Sequence, residues 1–135
     1  MKITVFGATG VVGSALLPLL AHHELVAVSR STHAAEQGVR WVEGDAGSAD
    51  DVARAVEGAE VVYYLVHSLG RRDFERQDRV AAENVAAACE HACVKQIVYL
   101  GGLGDDDPTA SPHLRSRRVN ASLPEPSRLR RCAPR

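Results

Sequence analysis

Met1-Lys2-Ile3-Thr4-Val5-Phe6-Gly7-Ala8-Thr9-Gly10-Val11-Val12-Gly13-Ser14-Ala15-Leu16-Leu17 opens the chain, and its reading decides the fold. Lys2 to Phe6 is a short run of β-branched and apolar residues, the composition of a strand. It stops at Gly7, and Ser14 to Leu17 reads as helix. Strand, glycine turn and helix start, in that order, make a phosphate cradle of the glycine pattern. Gly7 permits a tight turn. Gly10 lets backbone N–H groups approach a pyrophosphate with no Cβ in the way. Gly13 lets the helix pack against the strand, so that the helix N-terminus faces the negative charge. With Thr9, Val11 and Val12 between them, these glycines are the expected cofactor-binding positions of the turn. The spacing is G-x-x-G-x-x-G, one residue longer than the common dinucleotide fingerprint. An ordinary strand-to-helix turn would explain Gly7 and Gly13 but not Gly10.

Downstream, apolar runs alternate with helical periodicity. Glu24 to Ser29 reads as a second strand, Val39 to Val42 as a third and Val61 to Val66 as a fourth. Lys95 to Leu100 reads as a fifth. The first helix is expected over about Val11 to His22, bent by Pro18. Ser31 to Gly38 is a polar connection with one short helical turn. Ser48 is placed to cap a helix to about Glu57, with Ala49, Val52, Ala53 and Val56 at helical spacing. Asp73 is placed to cap a long helix to about His91, with Phe74, Gln77, Ala81, Asn84, Val85 and Ala88 on one face. Strands alternating with helices imply a Rossmann-type α/β fold, a doubly wound parallel sheet with right-handed crossovers. The expected strand order is 3-2-1-4-5, incomplete on the C-terminal side.

A chain of 135 residues holds one domain with a sizeable core, filled by Ala, Val and Leu because aromatics make up only 4%. The net charge of −1 hides an asymmetry: residues 1–113 sum to −7, whereas 114–135 carry seven Arg and one Glu. Residues 1–104 are therefore expected to form the dinucleotide-binding domain, and 105–135 a loop and an Arg/Pro-rich disordered tail. That tail lacks lysine, aromatics and an amphipathic stripe, so no nucleic-acid partner is expected. No apolar stretch approaches a membrane span, and the opening strand is not a secretory leader. With three cysteines, an odd number, this points to a reducing cytoplasm. Nothing in the pattern sets an oligomeric state.

Arg30 follows the second strand, where a dinucleotide fold meets the adenosine ribose; an acid there suits NAD, an arginine the 2′-phosphate of NADP. Ser29-Arg30 thus favours NADP, with NAD possible. Asp45 and Ala46 follow the third strand at the carboxyl edge, where Asp45 either faces the adenine amino group or simply forms a turn after Gly44. Leu65, Val66 and His67 end the fourth strand and would border the middle of the cofactor. His67 is either a polar neighbour of the ribose or a strand-end histidine. Cys89, His91 and Cys93 are a poor metal set, since on a helix Cys89 and Cys93 would share a face and His91 would point elsewhere. His22-His23 reads as a pair favoured by the helix dipole.

The run Thr4 to Gly13 resembles the cofactor turn of the extended and atypical short-chain dehydrogenase/reductases. Asn84-Val85-Ala86-Ala87-Ala88-Cys89 followed by Val94 to Leu100 is similar to their long helix and fifth strand. Tyr64 to Ser68, and Tyr99 through Ser111 to Arg117, resemble the atypical NmrA-like NAD(P)H-binding branch, often labelled nucleoside-diphosphate-sugar epimerase-like. The resemblance spans about residues 1–118 and implies an oxidoreductase or epimerase-like protein. Its active members hold a Ser at the end of the fifth strand and a Tyr-x-x-x-Lys on the next helix, where Lys depresses the Tyr pKa for proton transfer. Here Gly101 and Gly102 replace the Ser, and His113-x-x-x-Arg117 stands in the other motif, leaving His113 and Arg117 as weak catalytic candidates. The departures also fit a non-catalytic NADP-binding redox sensor, and the change of composition after Arg118 fits an inactive truncated fragment.

Overall fold

A computed structural model of the chain describes residues 1–34, 36, 38–66 and 73–100. The elements run β1 (Lys2–Phe6), α1 (Val11–Leu19), β2 (Glu24–Ser29), β3 (Val39–Glu43), α2 (Ala49–Val56), β4 (Val61–Tyr64), α3 (Phe74–His91) and β5 (Gln96–Tyr99). All strand pairs are parallel, in the order β3-β2-β1-β4-β5, as the alternating pattern implies. The fold is the expected Rossmann-type sheet. The expectations for 105–135, including His113 and Arg117, lie outside the described residues, as does His67.

Reversal of direction between β1 and β4 puts the crossovers on opposite faces of the sheet. On one face, Leu17 of α1 packs with Ile3, Val5, Leu25 and Ala27. On the other, α2 and α3 cover Phe6, Val28, Val62 and Tyr64 with Val52, Ala55, Val56, Ala81, Ala82, Val85 and Cys89. β1 and β2 are buried on both faces and read as continuous apolar runs for that reason. The one polar side chain inside β1, Thr4, is fully buried and donates from Oγ1 to the Ala55 carbonyl at 2.8 Å. This bond ties the central strand to α2 and satisfies a hydroxyl that burial would otherwise penalise.

Several expected boundaries move. α1 ends at Leu19, not His22, with Pro18 inside its last turn. His22 and His23 therefore stand beyond the helix, ring centroids 3.9 Å apart. The His23 pKa is lowered by partial loss of solvent, then by His22 and the α-amino group, so its charge is disfavoured and not drawn out by a helix dipole. In the connection before β3, Glu36 and Val39 form an isolated antiparallel bridge, and the described residues 31–34 are not helical. β4 stops at Tyr64, although Leu65 N still donates to Phe6 O of β1 at 3.0 Å.

Ser48 caps α2 as expected, its hydroxyl accepting from Asp51 N, but Ala55 is buried where Ala49 and Ala53 are exposed. Asp73 holds the N-cap position of α3 in a left-handed conformation, φ 65°, without a side-chain capping bond. On α3 the buried stripe is Asp78, Ala81, Ala82, Val85 and Cys89, while Gln77 is exposed. Because α3 ends at His91, Cys93 sits on the following turn at φ 57° and shares no helix face with Cys89. Burial pushes the Cys89 thiol up to about 12, which makes it a small apolar filler.

Tyr64 is fully buried between Phe6 (centroids 6.4 Å, edge-on) and Tyr99 (6.0 Å, stacked). Its hydroxyl has no hydrogen-bond partner among the described residues. Burial, then the nearby Asp78 carboxyl and Tyr99, hold its pKa above the usual phenol range. Removing an unsatisfied buried hydroxyl while keeping the ring should stabilise a domain by about 1 kcal/mol. Tyr64→Phe is thus expected to raise the thermal midpoint by roughly 5 °C; a lowered midpoint would show that the hydroxyl is satisfied.

Candidate functional site

Gly7 sits at φ +80°, and a Cβ there would meet the Leu65 carbonyl at 3.0 Å. The turn closes by Gly10 N donating to Gly7 O at 3.1 Å. Gly10 is the N-cap of α1, with no side-chain capping bond and no acidic residue in the first turn. The first α-type bond runs from Ser14 N to Gly10 O, 2.9 Å, so the amides of Val11, Val12 and Gly13 precede it at the positive end of the helix. A Cβ on Gly13 would lie 2.2 Å from the Gly7 carbonyl oxygen and 2.7 Å from Ala8 Cα. What Gly13 permits is therefore the seating of α1 on the turn itself, more than on the strand.

The turn opens into a cleft of about 840 Å³ along the carboxyl ends of β1, β2, β3 and β4. This is where the strand order reverses, the usual ligand position in an open α/β sheet. Of the residues singled out from sequence, Gly7, Thr9, Gly10, Arg30, Asp45, Ala46, Leu65 and Val66 line it. Val11, Val12 and Gly13 do not: Val11 is 89% exposed on the outer rim, and Gly13 is buried behind the turn.

The wall formed by the start of α3 was not legible in the sequence. Asp73, Arg76, Gln77 and Val80 face the cleft, and Arg76 adds a second cation to that of Arg30. The only available signal was that these residues break the apolar stripe of α3, with Gln77 set among polar neighbours. Phe6, Val28 and Ser29 also line the cleft, because strand ends are cut off where the sheet meets solvent.

The loop after β3 is held from several sides. Gly44 N donates to Ser29 O at 2.9 Å and Asn84 Nδ2, from α3, to Ala46 O at 3.0 Å. Asp45 forms a turn, its Oδ1 accepting from Gly47 N at 2.8 Å, and still lines the cleft. The turn-forming reading of this aspartate is the one its hydrogen bond shows. Asp45 N in turn donates to Asp51 Oδ2 at 3.0 Å. That N–H is the main cause that holds the Asp51 carboxyl below its ordinary range, with Arg54 adding to it.

A carboxyl whose pKa is depressed by folding contributes stability that is complete above the ordinary value and lost as pH falls through the depressed one. Asp51→Asn should therefore be less stable than the parent at neutral pH, with the gap closing on acidification below about pH 4. Urea unfolding at several pH values reads this directly, and a gap that persists unchanged to about pH 2 would remove the electrostatic account.

Among the described residues no group of three or more His, Cys, Asp and Glu is placed to hold a metal ion. No described helix is long and apolar enough to cross a membrane. A family model described as NAD(P)H-binding matches residues 7–127. No curated protein matches the chain.

Several solved structures share its fold. MoeE5 in complex with UDP-glucuronic acid and NAD is 23% identical, TM-score 0.73, over 91% of this chain and 48% of that one. Uronate dehydrogenase from Agrobacterium tumefaciens is 22% identical, TM-score 0.76, over 90% of this chain and 53% of that one. Triphenylmethane reductase of Citrobacter sp., complexed with NADP(H), is 23% identical, TM-score 0.75, over 90% and 44%. The chain spans about half the length of these proteins.

Proposed function

The chain belongs to the NAD(P)H-binding family, and from that premise we propose that its cleft grips the adenosine diphosphate half of a nicotinamide dinucleotide, NADP in preference to NAD. Membership bears out the resemblance to the atypical short-chain dehydrogenase/reductases; the NmrA-like branch is our finer reading. The observation that carries it is the juxtaposition of an uncapped helix start, Gly10 and Arg30 along one cleft at the strand reversal. Gly7, Thr9 and Gly10, where the turn meets the N-terminus of α1, suit the diphosphate. Asp45 and Ala46 suit the adenine edge, and Leu65 and Val66 the middle of the cofactor. Arg30 suits a 2′-phosphate.

When bound, the dinucleotide supplies a hydride donor or acceptor. The residues that would use it chemically are not among those described, so we assign this chain cofactor binding and leave hydride transfer in an oxidoreductase or epimerase-like reaction as the expectation of kinship. A non-catalytic sensor built on the same cleft would bind identically. We place residues 1–104 as the binding domain, in the cytoplasm.

Fluorescence titration of the full chain with NADPH and NADH tests the reading. Micromolar binding with NADPH favoured is expected, and Arg30→Asp should invert or abolish the preference by at least about tenfold, the worth of one charge-assisted contact. Absence of binding to either nucleotide overturns the cofactor reading. An unaltered ratio in the variant overturns the NADP preference.

A further inference from the structure

His33 lies on the connection after β2, outside every motif discussed above, yet it is locked by two contacts. Its ring stacks on Trp41 of β3, centroids 4.1 Å apart and planes 23° from parallel. Its Nε2 is 2.9 Å from Ser29 Oγ. Trp41 is itself braced, its Nε1 donating to Glu36 Oε2 at 3.4 Å while its ring packs on the core beneath α1. Ser29 lines the cleft beside Arg30.

A serine hydroxyl has one proton and two lone pairs. One lone pair of Ser29 Oγ is taken by Ser31 N, which donates to it at 3.2 Å. If His33 presents Nε2–H, it fills the second lone pair, and the hydroxyl proton is left to point outward as a donor. If instead Nε2 accepts, the hydroxyl proton is consumed and only acceptor character remains. The first arrangement, beside the Arg30 guanidinium, is an all-donor corner that suits a phosphomonoester. The second would suit a free ribose hydroxyl.

We infer that His33, held flat against Trp41, sets the Ser29 hydroxyl as a donor and so helps specify a phosphate on the adenosine 2′-oxygen. His33 is a positioning residue: it acts through Ser29 and does not touch the ligand. The inference rests on the NADP reading above and deepens it, because a phosphomonoester has three acceptor oxygens and the Arg30 fork, bidentate at most, leaves one for a further donor.

The chain has one tryptophan, and it is the one under His33, so its emission reports on this corner. The full chain is titrated with adenosine 2′,5′-bisphosphate and with adenosine 5′-monophosphate, which differ only in the 2′-phosphate. Affinities are read by calorimetry, and Trp41 emission in parallel. The parent should favour the bisphosphate, with an emission change that the monophosphate does not produce. His33→Phe keeps the stack and loses the donor; it should weaken the bisphosphate about tenfold and leave the monophosphate within about twofold. His33→Gln restores an N–H donor and should recover much of the loss. Ser29→Ala, which removes the donor itself, should lose at least as much as His33→Phe, and the double variant should be no worse than Ser29→Ala, since His33 acts only through that hydroxyl.

Equal weakening of both ligands by His33→Phe would mean a structural role only and overturn the inference, as would additive losses in the double variant. Full bisphosphate affinity in His33→Phe alongside a loss in Arg30→Ala overturns the role of His33 and leaves the NADP reading standing. No discrimination between the two ligands in the parent overturns both.

Discussion

Gly13→Ala is expected to cost about 3 kcal/mol or more, the upper end of what overpacking does. The single added carbon would lie 2.2 Å from a backbone carbonyl oxygen and 2.7 Å from a backbone carbon, and neither belongs to a flexible side chain that can swing away. Relief requires α1 to lift from the turn, which loosens Leu17 from Ile3, Val5 and Leu25 on that face of the sheet. Thermal or urea unfolding should show the loss, a midpoint lower by at least roughly 10 °C. An unchanged midpoint would mean that the seat of α1 on Gly7 and Ala8 is not as close as described.

Gly10→Val should do the opposite: spare the fold and lose the ligand. Gly10 sits at φ −73°, ψ 171°, extended backbone open to valine, and a Cβ would press only on the Gly7 carbonyl oxygen at 3.3 Å. Stability should change by no more than about 1 kcal/mol. A branched side chain at the cap position would stand over the first amides of α1, where a diphosphate is expected to sit. Losing one or two charge-assisted bonds there should weaken NADPH about 50-fold. Titration of the variant alongside an unfolding curve separates the effects; retained affinity on an intact fold would show that the dinucleotide is gripped elsewhere. Together the two substitutions test whether this turn divides its labour between a structural glycine and a binding one.

Expectations drawn from residues separate by the kind of physics involved. Strand positions for β1 and β2 were legible because a parallel sheet buried on both faces demands continuous apolar runs. Crossover handedness then leaves few ways to arrange five strands. Gly7 and Gly13 were legible because a positive φ and a forbidden Cβ are local demands. The end of α1 was misjudged, because its stop at Leu19 is marked by no glycine. The α3 stripe was misjudged by a fraction of a turn, because Asp78 is buried there and an acidic residue reads as exposed.

What the order of residues determined by itself is the layout: sheet, crossovers, and a glycine turn at the carboxyl edge, each a consequence of periodicity or backbone geometry within a short span. Tertiary structure alone decided which side chains meet across that edge. Arg76 and Gln77 come to the cleft wall from α3, Asn84 reaches back 38 residues to Ala46, and His33 lies flat on Trp41. Those meetings depend on the angle at which each crossover lands on the sheet, which is set by packing of the whole core and not by any local preference of the residues that meet.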